Sequence, residues 1–228
     1  MRIVIKVGGS VICPDGKPDV PFLKGFAAAV RKLKKEGHEV HIVGGGGMLC
    51  KSYVAAAKEF GLEDTALDVI GMKAGRFNAL AVIAALNDIA YPVPPENFDD
   101  IGKALSSGKV IVLGGLLPGQ THDAVAVQLA GYVKADILIK GTNVEGIYEK
   151  DPKKHKDAKR LEKISHERLF EIASHDIFVA GTSSIIDPQA ALLLRRSNIK
   201  TLVVNIHDTK NLMDAIHGKG FVGTEIID

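Results

Sequence analysis

Short runs of β-branched and apolar residues alternate along this chain with longer segments whose apolar residues return every three or four positions. Residues 2–7 form the first such run and read as a buried strand, broken at once by Gly8-Gly9-Ser10. A Pro/Gly/Asp loop covers 13–21. Phe22, Phe26, Val30 and Leu33 then share one helical face over 22–36, with Lys and Arg opposite and Gly37 placed to end the helix. A second strand over 39–43 meets four consecutive glycines, 44–47, and a helix from 48 to about 60 closed by Gly61. An Ala- and Leu-rich helical stretch spans 68–89. Tyr91-Pro92-Val93 is extended, 98–107 helical, 109–113 a strand, 114–123 a loop and 124–134 a helix. The apolar run over 136–140 ends in Lys140 and breaks at Gly141-Thr142-Asn143. The charged stretch 151–163 reads as a solvated excursion. A helix over 165–173 with Ser165 as N-cap follows, then a loop over 181–184 and a helix entered through Asp187-Pro188 and running to about 197. A strand over 200–205, a short helix over 211–217 and a tail pairing as an edge strand complete the pattern.

Strands alternating with helices predict an α/β fold, a three-layer αβα sandwich around a mainly parallel sheet. No repeat and no separating linker interrupts the 228 residues, so two lobes of one domain are expected.

Composition narrows the function classes. A net charge of +2 supplies no field to attract nucleic acid or a membrane surface, and 5% aromatic residues without Trp leave few platforms for stacking bases. Cys13 and Cys50 have no metal-ligand spacing and suit a reducing compartment. No apolar run approaches 18 residues and no signal peptide form is visible, so no membrane span and a cytoplasmic location are expected.

The chemistry gathers where strands end. Val7 runs into Gly8-Gly9-Ser10, Val43 into Gly44 to Gly47, Leu113 into Gly114-Gly115, and Lys140 into Gly141-Thr142-Asn143. Glycine lets backbone approach a ligand closely, and helix N-termini favour phosphate. Four such loops on one sheet edge suggest a long phosphate-bearing ligand, or two facing each other. Tyr148 offers a ring for a base and Asp151 an acceptor for sugar hydroxyls. The first loop lacks G-x-G-x-x-G, and Gly114 to Thr121 carries Gln120 where a P-loop needs Lys, so neither a Rossmann dehydrogenase nor a P-loop NTPase is supported. Singly, each residue has a plainer use: Lys6 as a strand-end lysine reaching for water, Asp123 as an N-cap, Asp68 as an exposed acid at a helix start, Tyr148 as core packing and His122 as a surface histidine.

Together, Ile5-Lys6-Val7-Gly8-Gly9-Ser10, Val43 to Gly47, Gly114-Gly115 through Thr121-His122-Asp123-Ala124, and Thr142 to Tyr148 with Asp151-Pro152 resemble the amino acid kinase superfamily. Their order and spacing are most similar to archaeal-type UMP kinases, as are residues 180–187 and 196–201. The resemblance covers essentially the whole chain. It implies phosphoryl transfer from ATP to UMP, the two nucleotides meeting head-on over the sheet edge, with Mg²⁺ held mainly by phosphates and water. It implies an acceptor-binding lobe over about 1–138 and an ATP-binding lobe over about 139–228. It assigns Lys6, Asp123 and Lys140 to catalysis. Gly9, Ser10, Gly47, Lys51, Thr142, Asn143, Tyr148 and Asp151 fall to ATP. Gly46, Asp68, Leu116, Leu117, Pro118, Gly119, Gln120, Thr121 and His122 fall to UMP. A homo-oligomer, a hexamer built from dimers, comes with the family, and the Ala-rich segments 54–57 and 79–85 are candidates for contacts with a twin. The chain departs from the family's acceptor loop at Leu116 and His122, where Thr is usual, and at Gln120, where His is usual. A kinase for another phosphate-bearing acceptor such as isopentenyl phosphate, and an ATP-binding oxyanion-storage protein on the same scaffold, are the rival readings. Met48 follows the glycines where the isopentenyl phosphate kinases usually place a His.

Overall fold

The computed structural model describes residues 1–150, 152, 155–175 and 185–228. Five parallel strands, β1 (Arg2–Val7), β2 (Glu39–Gly44), β3 (Val112–Leu113), β4 (Ile137–Thr142) and β6 (Thr201–Asn205), build most of a sheet in the order β3-β2-β1-β4-β6-β7-β5. β7 (Thr224–Ile226) runs antiparallel to β6 and pairs on its other side with β5 (Lys163–Ile164). The order grows outward in both directions from β1 and β4. The C-terminal ends of those two strands are therefore the crevice where open α/β sheets receive ligands.

Side chains alternate across the sheet and divide the core in two. Ile3, Ile5, Val7, Ile137, Ile139, Leu202 and Val204 face α2 (Val20–Lys35), α4 (Asp64–Leu86) and α9 (Thr209–Ile216). Val4, Val43, Leu138 and Val203 face α5 (Phe98–Leu105), α6 (His122–Tyr132), α7 (His166–His175) and α8 (Pro188–Ser197). This is the expected three-layer arrangement. Gly37, at φ +84°, follows α2 as its C′ residue. Ser165 accepts from the Arg168 amide, and Asp187 caps α8 through the Ala190 amide.

Several boundaries differ from the sequence expectation. Gly9–Ile12 forms a short helix, α1, because the Gly8 carbonyl accepts from the Val11 and Ile12 amides. α3 spans Gly47–Glu59, and α4 starts four residues before Asp68, which places that carboxylate in the second turn instead of at the helix start. β4 continues through Gly141 to Thr142, whose carbonyl accepts from Ile206. β3 shrinks to two residues, helped by a bridge between Ala90 and Val110. The tail strand is flanked on both sides, not at the edge, and the edge strand β5 follows the charged excursion. α4 and the turn after it bear on the expectation about spans. Asp64–Ile89 is long and apolar enough to cross a membrane by length and composition. Here its Ala79, Val82 and Leu86 belong to the core under the sheet.

Candidate active site

Lys6 and Lys140 lie directly opposite each other on β1 and β4. Both sit two residues past a core residue, Val4 or Leu138, so period-two alternation sends both ammonium groups to the α6 side. There the first turn of α6 supplies Asp123, and the positive end of that helix suits a carboxylate. Lys6 Nζ is 3.0 Å from Asp123 Oδ1, and Lys140 Nζ is 2.5 Å from both carboxylate oxygens. Both lysines are buried, at 9% and 8% exposure, and this decides their electrostatics. Burial pushes the Asp123 carboxyl up, but Lys140 and Lys6 outweigh it and hold the group well below the usual carboxylate range. Burial likewise opposes both ammonium charges. At Lys6 the charge of Asp123, together with contributions from Lys140 and Asp187, outweighs it and the pKa is raised, whereas Lys140, with Lys6 beside it, is pushed down to about 7. One carboxylate thus anchors two cations, and the second proton is held loosely.

Asp123 is not the N-cap of α6. That role belongs to Thr121, whose Oγ1 accepts from the Ala124 amide at 2.9 Å.

A cleft of about 660 Å³ opens over these groups. Its floor is made by the first two glycine loops, which interlock. A Cβ on Gly9 would overlap the Gly47 nitrogen, and Gly47 itself sits at φ +58° with its α-carbon facing Gly9. The loop carbonyls are fixed from below by Asn78 of α4, which donates to Gly45 O at 2.8 Å and Gly46 O at 3.0 Å. Ser10, Lys51, Thr142, Asn143 and Tyr148 of the expected ATP set all line the cleft, Lys51 from the exposed side of α3. Tyr148 is half-buried and bridges by its backbone to Arg160, so it is a wall residue and not a core one. Asp151 and residues 180–184 lie outside the described residues.

Of the expected UMP set, Gly46, Thr121 and His122 line the cleft, while Asp68 and residues 116–120 stand outside its wall. Leu116 offers a ligand its backbone and not its side chain. Its side chain is 4% exposed and belongs to the core on the α6 side, because an apolar side chain at the loop base gains by burial. Leu117 is exposed. Asp68 takes the Gly119 amide at 2.9 Å, so it braces the loop. The same loop is held from α8: Thr121 donates from Oγ1 to Asp187 at 2.7 Å, and Gln189 accepts from the Thr121 amide.

Arg76 of α4, which sequence reasoning missed, donates to Gly115 O at 2.8 Å and Leu116 O at 3.3 Å and pairs with Glu96. Its signal, and that of Asn78, was a polar residue in an Ala/Leu-rich helix; the partners were invisible because they lie 32–40 residues away.

His122 packs against Gly75, where a Cβ would overlap its Nε2. Burial, then the nearby Lys6 charge, lowers its pKa to about 4, so the ring is neutral at neutral pH. Its Nε2 and Gln120 Oε1 are buried without a hydrogen-bond partner among the described residues. A buried atom of this kind is costly until a ligand supplies its partner.

This arrangement matches known proteins along its whole length. The profile of the amino acid kinase family matches residues 1–205. Proteins named uridylate kinase from Thermococcus sibiricus and Methanocaldococcus jannaschii are 44% and 41% identical over 96% and 90% of both chains. The crystal structure of uridylate kinase from Archaeoglobus fulgidus superimposes with a TM-score of 0.87, at 36% identity, over 99% of this chain and 100% of that one.

Proposed function

This chain belongs to the amino acid kinase family, and from that premise we infer that it moves the γ-phosphoryl group of ATP onto UMP, giving UDP and ADP. It is a nucleoside monophosphate kinase of pyrimidine nucleotide synthesis, working in the cytoplasm. The observation that carries the mechanism is the buried Lys6–Asp123–Lys140 cluster at the sheet's switch point.

The acceptor phosphate is already an anion near neutral pH, its second pKa being about 6, so no general base is needed. The task is to bring two anions together in line and to stabilise the charge on the transferring group. Lys6 and Lys140 supply that charge from a low-dielectric site, held in place by Asp123. Ser10, Thr142 and Asn143 lie on the donor side, with Tyr148 beside the base. Gly46, Thr121 and His122 lie on the acceptor side. The acceptor side draws on the lobe over about 1–138 and the donor side mainly on that over about 139–228.

Mg²⁺ fits this site as a companion of the phosphates. Both Asp123 oxygens are engaged by lysines, so phosphate oxygens and water would be the ion's main ligands. When bound, it neutralises charge on the phosphates.

A coupled ADP-release assay with UMP, CMP, dUMP and isopentenyl phosphate tests the acceptor. UMP is expected to give the highest kcat/KM; a preference for isopentenyl phosphate, or ATP binding without turnover, would overturn the reading.

The loosely held proton gives a second expectation. At about pH 8 the unliganded Lys140 is largely neutral, and the triphosphate recharges it, with uptake of roughly half a proton or more per ATP bound. At about pH 6 the lysine is already charged and the uptake falls away. Calorimetry in two buffers of different ionisation enthalpy reads this directly, and Lys140→Met should remove the pH 8 uptake.

The outer face of α3 and α4 supports a homo-oligomer, with the family's hexamer as the full assembly. Tyr53, Phe60, Phe77 and Leu80 are 64%, 82%, 67% and 43% exposed there, a larger apolar display than a monomer ordinarily leaves to water. Light scattering should give a mass above the 24.3 kDa of one chain, and Phe77→Glu should lower it.

A further inference from the structure

At the end of the sheet opposite the cleft, three potential ligands converge from distant parts of the chain. Glu36 is the C-cap of α2, His38 precedes β2, and His217 is the C-cap of α9. Their ligand atoms all lie within 4.8 Å of one another. His217 Nε2 is 2.8 Å and His38 Nε2 3.8 Å from the same carboxylate oxygen, Glu36 Oε2. β2 separates this cluster from the glycine loops by about 20 Å, its six residues rising about 3.3 Å each. Nothing in the transfer of a phosphoryl group uses it.

We propose that Glu36, His38 and His217 form a binding site for a transition-metal dication of the Zn²⁺ class, with solvent completing the coordination. A tetrahedral zinc centre has bonds of about 2.0–2.1 Å to imidazole nitrogen and carboxylate oxygen, which sets the ligand atoms about 3.3 Å apart. The 2.8 and 3.8 Å separations bracket that value and the two imidazole nitrogens lie within 4.8 Å of each other, so the ion takes the place of the His217–Glu36 hydrogen bond once the rings close on it. Two imidazoles and one carboxylate select Zn²⁺ or its neighbours over Mg²⁺ and Ca²⁺, which take oxygen ligands. The Nδ1 of His38 lies 3.2 Å from the Met1 ammonium and accepts from it in the empty site; a metal on Nε2 moves the ring proton to Nδ1 and displaces that contact.

The site ties α2 and the entry to β2 to the end of α9, residues 181 apart at Glu36 and His217. It therefore staples the acceptor-side and donor-side parts of the chain at the base of the sheet. An ion that binds only the folded chain stabilises it by mass action.

The test uses the full chain, stripped with chelator and free of nucleotide. Added Zn²⁺ is expected to bind one ion per chain at this site and to raise Tm by about 5 °C when well above its Kd, reversibly with EDTA. Mg²⁺ and Ca²⁺ should give no shift. His217→Ala and Glu36→Gln should each remove the Zn²⁺ shift while phosphoryl transfer is unchanged. Co²⁺ gives an independent reading, as its visible absorption band should be lost in His217→Ala. No Zn²⁺-dependent shift in the parent chain, or a shift and a Co²⁺ band that persist in both variants, would overturn the proposal.

Discussion

Lys6→Met is expected to lower kcat for UMP phosphorylation by about 10²–10³-fold, the loss typical of removing one preorganised charge stabiliser, with much smaller changes in KM. The methionine keeps most of the buried stem, so packing on the α6 side of β1 is retained. Asp123 keeps Lys140 at 2.5 Å, which leaves a balanced one-to-one ion pair instead of an isolated buried charge. Circular dichroism and Tm should therefore stay close to those of the parent chain. Steady-state kinetics with saturating ATP and varied UMP separate kcat from KM. A variant that folds normally and turns over at the parent rate would remove Lys6 from the mechanism.

Asp123→Asn should act on the fold as strongly as on the chemistry. The amide keeps the shape of the carboxylate but leaves Lys6 with only the more distant Asp187 as counter-charge and drives Lys140 further towards its neutral form. Breaking a buried ion pair by removing one partner costs about 3–5 kcal/mol. For a chain of this size that lowers Tm by about 6–20 °C. The deficit has a pH signature. In the variant both lysines would have folded pKa values below their unfolded value of about 10.4, so the unfolded chain binds more protons and stability rises as pH is raised. The parent chain behaves differently at the acid end. There the depressed Asp123 pKa contributes stability above the unfolded carboxylate pKa of about 3.9, which is lost as pH falls through the folded value. Thermal melts between about pH 6 and 9 check the variant, and a Tm equal to the parent's across that range would contradict the two-cations-on-one-carboxylate description.

The strands carrying Lys6 and Lys140 were legible because a buried apolar run that stops at a glycine loop has few other readings. Their register pairing was not legible, since which strand lies beside which is a long-range property of the sheet. α1 was missed because Gly-Gly-Ser reads locally as loop, and only the two bonds to the Gly8 carbonyl make it helical. β5, at two residues, is too short to show a period, and the tail strand β7 was expected but its place inside the sheet depends on β5. Asn78 and Arg76 were hidden for a related reason. Helical periodicity places them on α4, but their purpose lies in the loop carbonyls that the fold brings to them.

The bond between Thr121 and Asp187 has a mechanical consequence. Each residue uses one group to start its own helix and shares a hydrogen bond with the other, so the origins of α6 and α8 are yoked. A substrate that drags one of them must carry its counterpart along or snap the link.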